Sequence, residues 1–330
     1  MAKGFHFFSV PVRPVLRNFF LASILLACLL GSIFKAEARE VTPFNNGWEF
    51  KKGPFPTDAM QTAARWNADW EQVNVPHTWN ADDMQKKTNS FYAGVAYYRK
   101  HYVFPESLEG KRLFLRFEGV GACAEVYVNG YLVGTHKGAY SAFVCEIGSQ
   151  VRLGEENEIV VKSDNVARPD VIPVNHALFG VYGGIYRPVW LIVTEPCNIV
   201  VNDCASPGVY ITQKNVSKQS ADVSVRVKLD NATLAPAALE LENAIYTREG
   251  KLVKVHRQSF ELTPQGVQNY VSDFKISHPH LWQGREDPYL YKVVSRLKQD
   301  GQVIDEVIQP LGLRKYEAVA GKGFFLNGKK

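Results

Sequence analysis

Apolar and polar residues alternate along most of this chain with a period of two, and helical periodicity is nearly absent. Arg112-Leu-Phe-Leu-Arg-Phe117 is a short aromatic-rich run, and Ala124-Glu-Val-Tyr-Val128 alternates residue by residue. Such alternation puts one set of side chains on each face of an extended strand. Asn129-Gly130 separates the second run from Tyr131-Leu-Val133. Asn-Gly between two strand-like runs predicts a hairpin, because both turn residues must take positive φ. Residues 158–162 predict a further strand, and residues 185–194 a long one closed by Glu195-Pro196. A second series begins near Asn198, with strand-like runs at 208–212, 221–229, 238–247, 252–262, 268–276, 290–298 and 302–309. Glu249-Gly250 and Asp300-Gly301 supply turns between them. Seven short strands at this spacing predict an immunoglobulin-like sandwich of ~100 residues. The first series covers about 155 residues with more strands, which fits a larger sandwich such as a jelly roll. The expected architecture is all-β: a jelly-roll sandwich, a joint near Pro196, then an immunoglobulin-like sandwich.

The start of the chain reads differently. Arg13 and Arg17 precede an apolar run from Phe19 to Phe34, and Ala36-Glu37-Ala38 follows. Basic region, apolar region and small-x-small site, in that order, predict a secretory signal peptide over residues 1–38, cleaved after Ala38. The run is about 16 residues, shorter than the ~20 of a spanning helix. A retained membrane anchor and a lipid-modified Cys28 are the alternatives. The mature chain is thus expected to be secreted or periplasmic, with no membrane contact after cleavage.

Composition narrows the function. The chain has 38 basic and 33 acidic residues, a net charge of +5. Lys3, Arg13, Arg17 and Lys35 against Glu37 lie before residue 39, so the remainder is close to balance. That excludes the clustered charge of a nucleic-acid partner. Of the five cysteines, Cys123, Cys145, Cys197 and Cys204 follow the leader, with no Cys-x-x-Cys. They are too sparse for a disulfide scaffold and unsuited to a zinc knuckle. Buried free thiols are expected at Cys123 and Cys145, and a Cys197–Cys204 bridge stays open. No cofactor motif or metal-ligand spacing stands out; His278 and His280 flank Pro279 with no third ligand nearby.

Local patterns recur in a recognisable order. Phe44-Asn-Asn-Gly-Trp-Glu-Phe50 is followed by Val75-Pro-His-Thr-Trp79, Tyr97-Tyr-Arg-Lys100, Phe117-Glu-Gly-Val120 and Val126-Tyr-Val-Asn-Gly130. Then come Gly134-Thr-His-Lys-Gly-Ala-Tyr140, Gly183-Gly-Ile-Tyr-Arg-Pro-Val189, Pro279-His-Leu-Trp282, Pro288-Tyr-Leu-Tyr291, Gly312-Leu-Arg314 and Phe324-Phe-Leu-Asn-Gly-Lys329. Each is weak alone; the ordered set resembles the amino-terminal part of glycoside hydrolase family 2, over residues 41–330. Most of these residues read as structural, including core roles for Trp48, Trp190 and Trp282 and a satisfied His77.

The resemblance implies a galactose-binding-like jelly roll over 39–196, an immunoglobulin-like sandwich over 197–312, and a lead-in to a (β/α)₈ barrel over 313–330. In the family, a retaining two-carboxylate mechanism resides in that barrel, which needs ~250 residues. Only 16 residues follow Arg314. The expectation is therefore a chain without catalytic residues of its own: the non-catalytic part of a secreted β-galactosidase-like enzyme. Stand-alone carbohydrate-binding or adaptor module, and structural subunit for a separately encoded barrel, are the alternatives. Asn157-Glu158 matches the family's acid/base dipeptide but sits in a turn-to-strand pattern, so Glu158 is expected exposed on a strand. Carbohydrate is the expected partner, together with a catalytic barrel. Family loops that shape the sugar pocket correspond to 170–180 and 82–94. Asn175 and His176 in the first, and Asn89 in the second, are the candidate sugar contacts. Asn175 and His176 stand where an acidic residue is usual, and Glu146 stands where the family shows Asp. Trp66, Trp70 and Trp79 are candidate stacking platforms.

Overall fold

The computed structural model describes residues 38–53, 70–83, 85, 91–173 and 180–330. The expected leader and Cys28 lie outside the described residues, as do Trp66, Asn89, Asn175 and His176. The described residues belong to one unit, Glu37–Lys330.

Two antiparallel sheets come from residues 40–194. The first contains β1 (Glu40–Pro43), β5 (Arg112–Phe117), β8 (Phe143–Glu146) and β10 (Val189–Thr194), ordered β1-β10-β5-β8. The second contains β2 (Trp48–Lys52), β3 (Glu71–Val73), β4 (Val95–Val103), β6 (Cys123–Val128), β7 (Tyr131–Lys137) and β9 (Glu156–Asp164), ordered β3-β2-β4-β9-β6-β7. Period-two patterning explains the layering. On β6, Ala124, Val126 and Val128 are buried while Glu125 and Tyr127 reach the other face. Trp48, Tyr98, Leu115, Phe117 and Ile159 are fully buried between the sheets. Each such side chain contributes about 1.5–3 kcal/mol. Asn129 and Gly130 make the β6–β7 turn with φ of 51° and 82°.

The long strand expected over 185–194 begins only at Val189. Pro188 has no N–H for a ladder. Upstream, Gly183 and Gly184 thread a gap too tight for a Cβ. At Gly183 one would stand 1.8 Å from Cζ2 of Trp79, and at Gly184 2.3 Å from the Tyr98 hydroxyl.

The second series behaves as its spacing predicts. In one sheet β13 (Ser220–Asn231) pairs with β11 (Cys197–Ile199), β12 (Val209–Lys214) and β16 (Gly266–Ser277). The other orders β15 (Leu252–Leu262), β14 (Ala237–Tyr246), β17 (Tyr291–Gln299) and β18 (Gln302–Leu311). A hairpin, β19 (Tyr316–Val319) and β20 (Gly323–Leu326), follows. Asn327 ties it down, donating from Nδ2 to Trp282 O at 2.9 Å and accepting from Lys315 N at 2.8 Å.

Trp48 fills the core as expected, whereas Trp190 and Trp282 are only half-buried. Trp190 packs beside Phe114, Ile192 and Val201 where the two sandwiches meet, and Trp282 lies under the Arg314 guanidinium. Cys123, Cys145, Cys197 and Cys204 are all free thiols; Cys145 is buried and Cys123 only partly so. Cys197 is buried and donates to Asn231 Oδ1, while Cys204 is exposed, so no bridge joins them.

Ion pairs cross the seam. Asp305 of β18, fully buried, takes a two-pronged bond from Arg39 at 2.8 and 3.1 Å and a third from Ile199 N at 2.7 Å. Arg112 binds both oxygens of Glu146 at 2.8 and 2.9 Å and reaches Asp230 across the seam at 2.7 Å. Burial alone would lower the Arg112 pKa; its bonds to Glu146 and Asp230 outweigh that and raise it.

Candidate functional site

Both loops singled out above leave one end of the first sandwich. The chain enters the 82–94 loop directly after Asn80 and leaves the 170–180 loop just before Val181 and Gly183. Asn80 is fully buried in a turn after Trp79, and Asn165 is fully buried after the end of β9. Asn80 Oδ1 accepts from Gly183 N at 2.8 Å and from Asn165 Nδ2 at 3.2 Å. Its Nδ2 donates to Asp83 Oδ2 at 2.7 Å and to Tyr92 O at 3.0 Å. Asn165 Nδ2 donates to Val181 O at 2.8 Å, and its Oδ1 accepts from Gly94 N at 2.8 Å. Two side-chain amides thus hold both ends of one loop and the far end of the other. Ser163 extends the tie, donating to Gly121 O and accepting from Gly184 N. The groups are neutral and satisfied, so their burial carries no charge penalty.

The start of the 170–180 loop is held by charge. Asp164 receives Val166 N at 2.8 Å and pairs with Arg168; Lys137 bonds Asp170 at 2.6 Å. Beside it lies a cleft of about 260 Å³ lined by Cys123, Glu125, His136, Lys162, Asp164 and Arg168.

On the other flank an open cleft of about 470 Å³ is lined by Phe50, Lys52, Glu71, His77, Trp79 and Asp82, among others. His77 Nδ1 is taken by the Tyr98 hydroxyl at 2.8 Å, which leaves Nε2 as the ring nitrogen available to a ligand. Burial holds the His77 pKa below its ordinary value, so the ring is neutral at pH 7. His77, Thr78, Glu71 and Asp82 bring hydrogen-bond donors and acceptors to the wall of this cleft. Trp79 and Phe50 are buried beneath it and offer no open stacking face; Trp70 instead lies under the Arg99 guanidinium at 4.4 Å.

Glu71 and Asp82 share the open cleft, but both are exposed and no side-chain hydrogen bond or ion pair among the described residues holds either. Two-carboxylate hydrolysis with retention needs a fixed separation of ~5–5.5 Å. Glu158 departs from expectation. It is half-buried, not exposed, because β9 lies between β4 and β6. Burial raises its pKa, yet its neighbour Glu156 is largely in solvent and both flank His101 on the sheet face. Of the other sequence candidates, His280 pairs with Asp287 at 2.6 Å and stacks on Tyr289. Glu146 pairs with Arg112 of the neighbouring strand β5 at 2.8 Å.

Sequence reasoning missed Asn80 and Asn165. Each follows or precedes ordinary loop residues, and the contacts they make span 85 and 103 residues. The only local signal was an Asn at each loop's edge, which many turns share.

Comparisons with known proteins agree with the fold. Residues 42–196 match the sugar binding domain of glycosyl hydrolases family 2, and residues 207–314 match a second profile described as glycosyl hydrolases family 2. A β-glucuronidase of Bacteroides fragilis is 39% identical over 308 residues, covering 93% of this chain and 42% of that protein. A β-galactosidase of Bacteroides ovatus is 27% identical, covering 92% of this chain and 35% of its own length. Among solved structures, a Bacteroides fragilis protein with a provisional β-galactosidase label shares 71% identity and a TM-score of 0.85, over 89% of this chain and 44% of that one. Bacteroides uniformis β-glucuronidase 2, covalently bound to cyclophellitol-6-carboxylate aziridine, shares 30% identity and a TM-score of 0.83, over 88% and 34%. The chain spans less than half the length of these relatives. With both profiles matched in order on two β-sandwiches, the chain belongs to glycosyl hydrolases family 2.

Proposed function

We propose that residues 39–330 are the sugar-recognising, non-catalytic amino-terminal portion of an exported family 2 glycoside hydrolase acting on β-galactosides or β-glucuronides. The observation that carries this reading is the amide tie at Asn80 and Asn165. It holds the 82–94 and 170–180 loops at one end of the first sandwich, where a sugar could be met from two sides. Asn89, Asn175 and His176 are the proposed contacts, since each can exchange hydrogen bonds with hydroxyls. The catalytic carboxylates are assigned to a (β/α)₈ barrel outside these residues. Both substrate classes come from the names of the relatives.

Export is part of the proposal, with residues 1–38 removed after Ala38. Sequencing of the exported protein should then begin at Arg39; a start elsewhere overturns that cleavage site.

Association with a barrel, or an adaptor role, has its own support. Tyr316 and Phe324 stack on each other, 64% and 58% exposed, on a hairpin clamped by Asn327. Exposed aromatic surface held in one orientation suits a docking partner.

The purified chain should show no turnover of nitrophenyl β-galactoside or β-glucuronide, and weak binding of the matching sugar by calorimetry. Asn175→Ala with His176→Ala should weaken that binding. Turnover that disappears in Glu71→Gln or Asp82→Asn would overturn the non-catalytic assignment.

A further inference from the structure

Lys100 sits on β4 and is only 8% exposed. Its Nζ donates to Asn46 O and lies over the rings of Phe44, Trp48 and Tyr102, at 4.6, 5.8 and 5.9 Å from their centres. No carboxylate among the described residues pairs with it. An ammonium group has three N–H donors. The carbonyl takes one, and ring faces attract the charge without accepting a strong hydrogen bond. Two donors of a buried cation therefore have no acceptor among the described residues, which is costly unless a ligand or water supplies one. Burial accordingly pulls the Lys100 pKa below its ordinary value.

The cation borders a cleft of about 350 Å³, whose wall includes Thr42, Asn45, Asn46, Ser107 and Leu108. Lys100 is the single basic residue on that wall, and the exposed Glu40 stands on it too. Lys100 supplies the attraction for an anion; the exposed Glu40 opposes it, and opposes a dianion such as phosphate more than a monoanion. Thr42 and Ser107 add hydroxyl groups to the same wall. Six residues of extended strand separate Lys100 from Gly94, about 20 Å from the loop end at ~3.4 Å per residue.

We propose that Lys100 anchors a binding site for a small carboxylate, from a free organic acid or an acidic sugar, in the cleft between β1 and β4. The carboxylate accepts the two N–H bonds that the protein leaves unused. The site is separate from the loops proposed to meet the sugar, so it stands or falls without that reading.

Titration calorimetry of the chain at low salt, with sodium acetate, D-glucuronate and D-glucose as probes, tests this. At least one carboxylate should bind in the millimolar range while glucose does not. Tighter glucuronate assigns the acidic sugar as ligand, and tighter acetate the free acid. Lys100→Met should weaken binding by about thirtyfold or more. Ser107→Trp, a substitution at an exposed position that narrows the cleft and leaves Lys100 in place, should do the same and carries the test if Lys100→Met does not fold. The proposal fails if neither carboxylate saturates by about 50 mM, a free energy under ~2 kcal/mol. It also fails if glucose binds as well as glucuronate, or if both variants bind as the parent does.

Discussion

The loop end of the first sandwich and the seam between the sandwiches solve one problem with opposite chemistry. Each must hold distant chain segments in a fixed relation. The loop end does so with neutral amides, Asn80 and Asn165, and the hydroxyl of Ser163. The seam does so with guanidinium groups: Arg39 forks onto Asp305, and Arg112, anchored on Glu146 within the first sandwich, reaches Asp230. Amides have donors and acceptors in one group, so they can tie several backbone strands without leaving net charge near a ligand. Guanidinium groups reach farther and grip carboxylates in two places, which fixes orientation between bodies. The seam is therefore strong while paired and costly once broken. The loop end leans less on charge, which enters through Asp83 and the pairs Asp164–Arg168 and Asp170–Lys137.

The largest effect should come from breaking the seam on one side. Asp305→Ala leaves the Arg39 guanidinium, 10% exposed, without its counter-charge. A loss of about 3–5 kcal/mol is expected in urea unfolding. Adding Arg39→Met should recover most of it; additive losses would show that the pair is not a unit.

Next is the loop end. Asn80→Ala strands the Gly183 N–H and one Asn165 donor, for about 2–4 kcal/mol. Faster hydrogen exchange confined to Gly183 and its neighbours would locate the damage there. Exchange that spreads evenly over the first sandwich would contradict a local tie.

Acid sharpens the comparison from the ionic side. Burial alone would raise the pKa of Glu242 on β14, but hydrogen bonds from Lys298, Arg257 and Arg296 outweigh it and bring it to about 2. Because that lies below the ordinary 4.5, the stabilisation is full above pH 4.5 and fades as pH falls towards 2. A loss on the order of 2 kcal/mol is expected over that window. Asp305 is shifted the other way, upward by burial, so it does not account for the acid loss. Stability of Glu242→Gln should be flatter across the same range, and an unchanged acid slope would exclude Glu242 as its source.

The smallest effect belongs to the Arg168 side of the pair at the start of the 170–180 loop. Arg168 is 40% exposed on its side chain, so Arg168→Ala should cost about 0–1 kcal/mol. A larger cost would mean that charge, and not only the amide tie, holds this end.

Much of the fold was legible along the chain. The seven runs of the second series fall on β12 to β18 within a few residues, because a strand with one buried face must alternate with period two. Asn129-Gly130 and Asp300-Gly301 take the positive φ their turns demand. The misses have physical causes. Ile185 and Tyr186 read as the start of a strand, yet Pro188 has no N–H for a ladder, and Gly183 and Gly184 thread past Trp79 and Tyr98 just upstream. Glu158 looked like a solvent-facing strand residue, and only the sheet order put β4 and β6 on either side of it.

The candidate site divides the same way. The sequence by itself determined the strand pattern, the turns and the family signature, since these depend on neighbours a few residues apart. Tertiary structure alone decided that Asn80 holds Gly183, that Arg39 meets Asp305, and that Lys100 has no carboxylate partner among the described residues. Each of those contacts joins residues brought together by sheet pairing or by the packing of one sandwich on the other. A pattern with period two records which face a side chain occupies, but not which distant chain arrives opposite it.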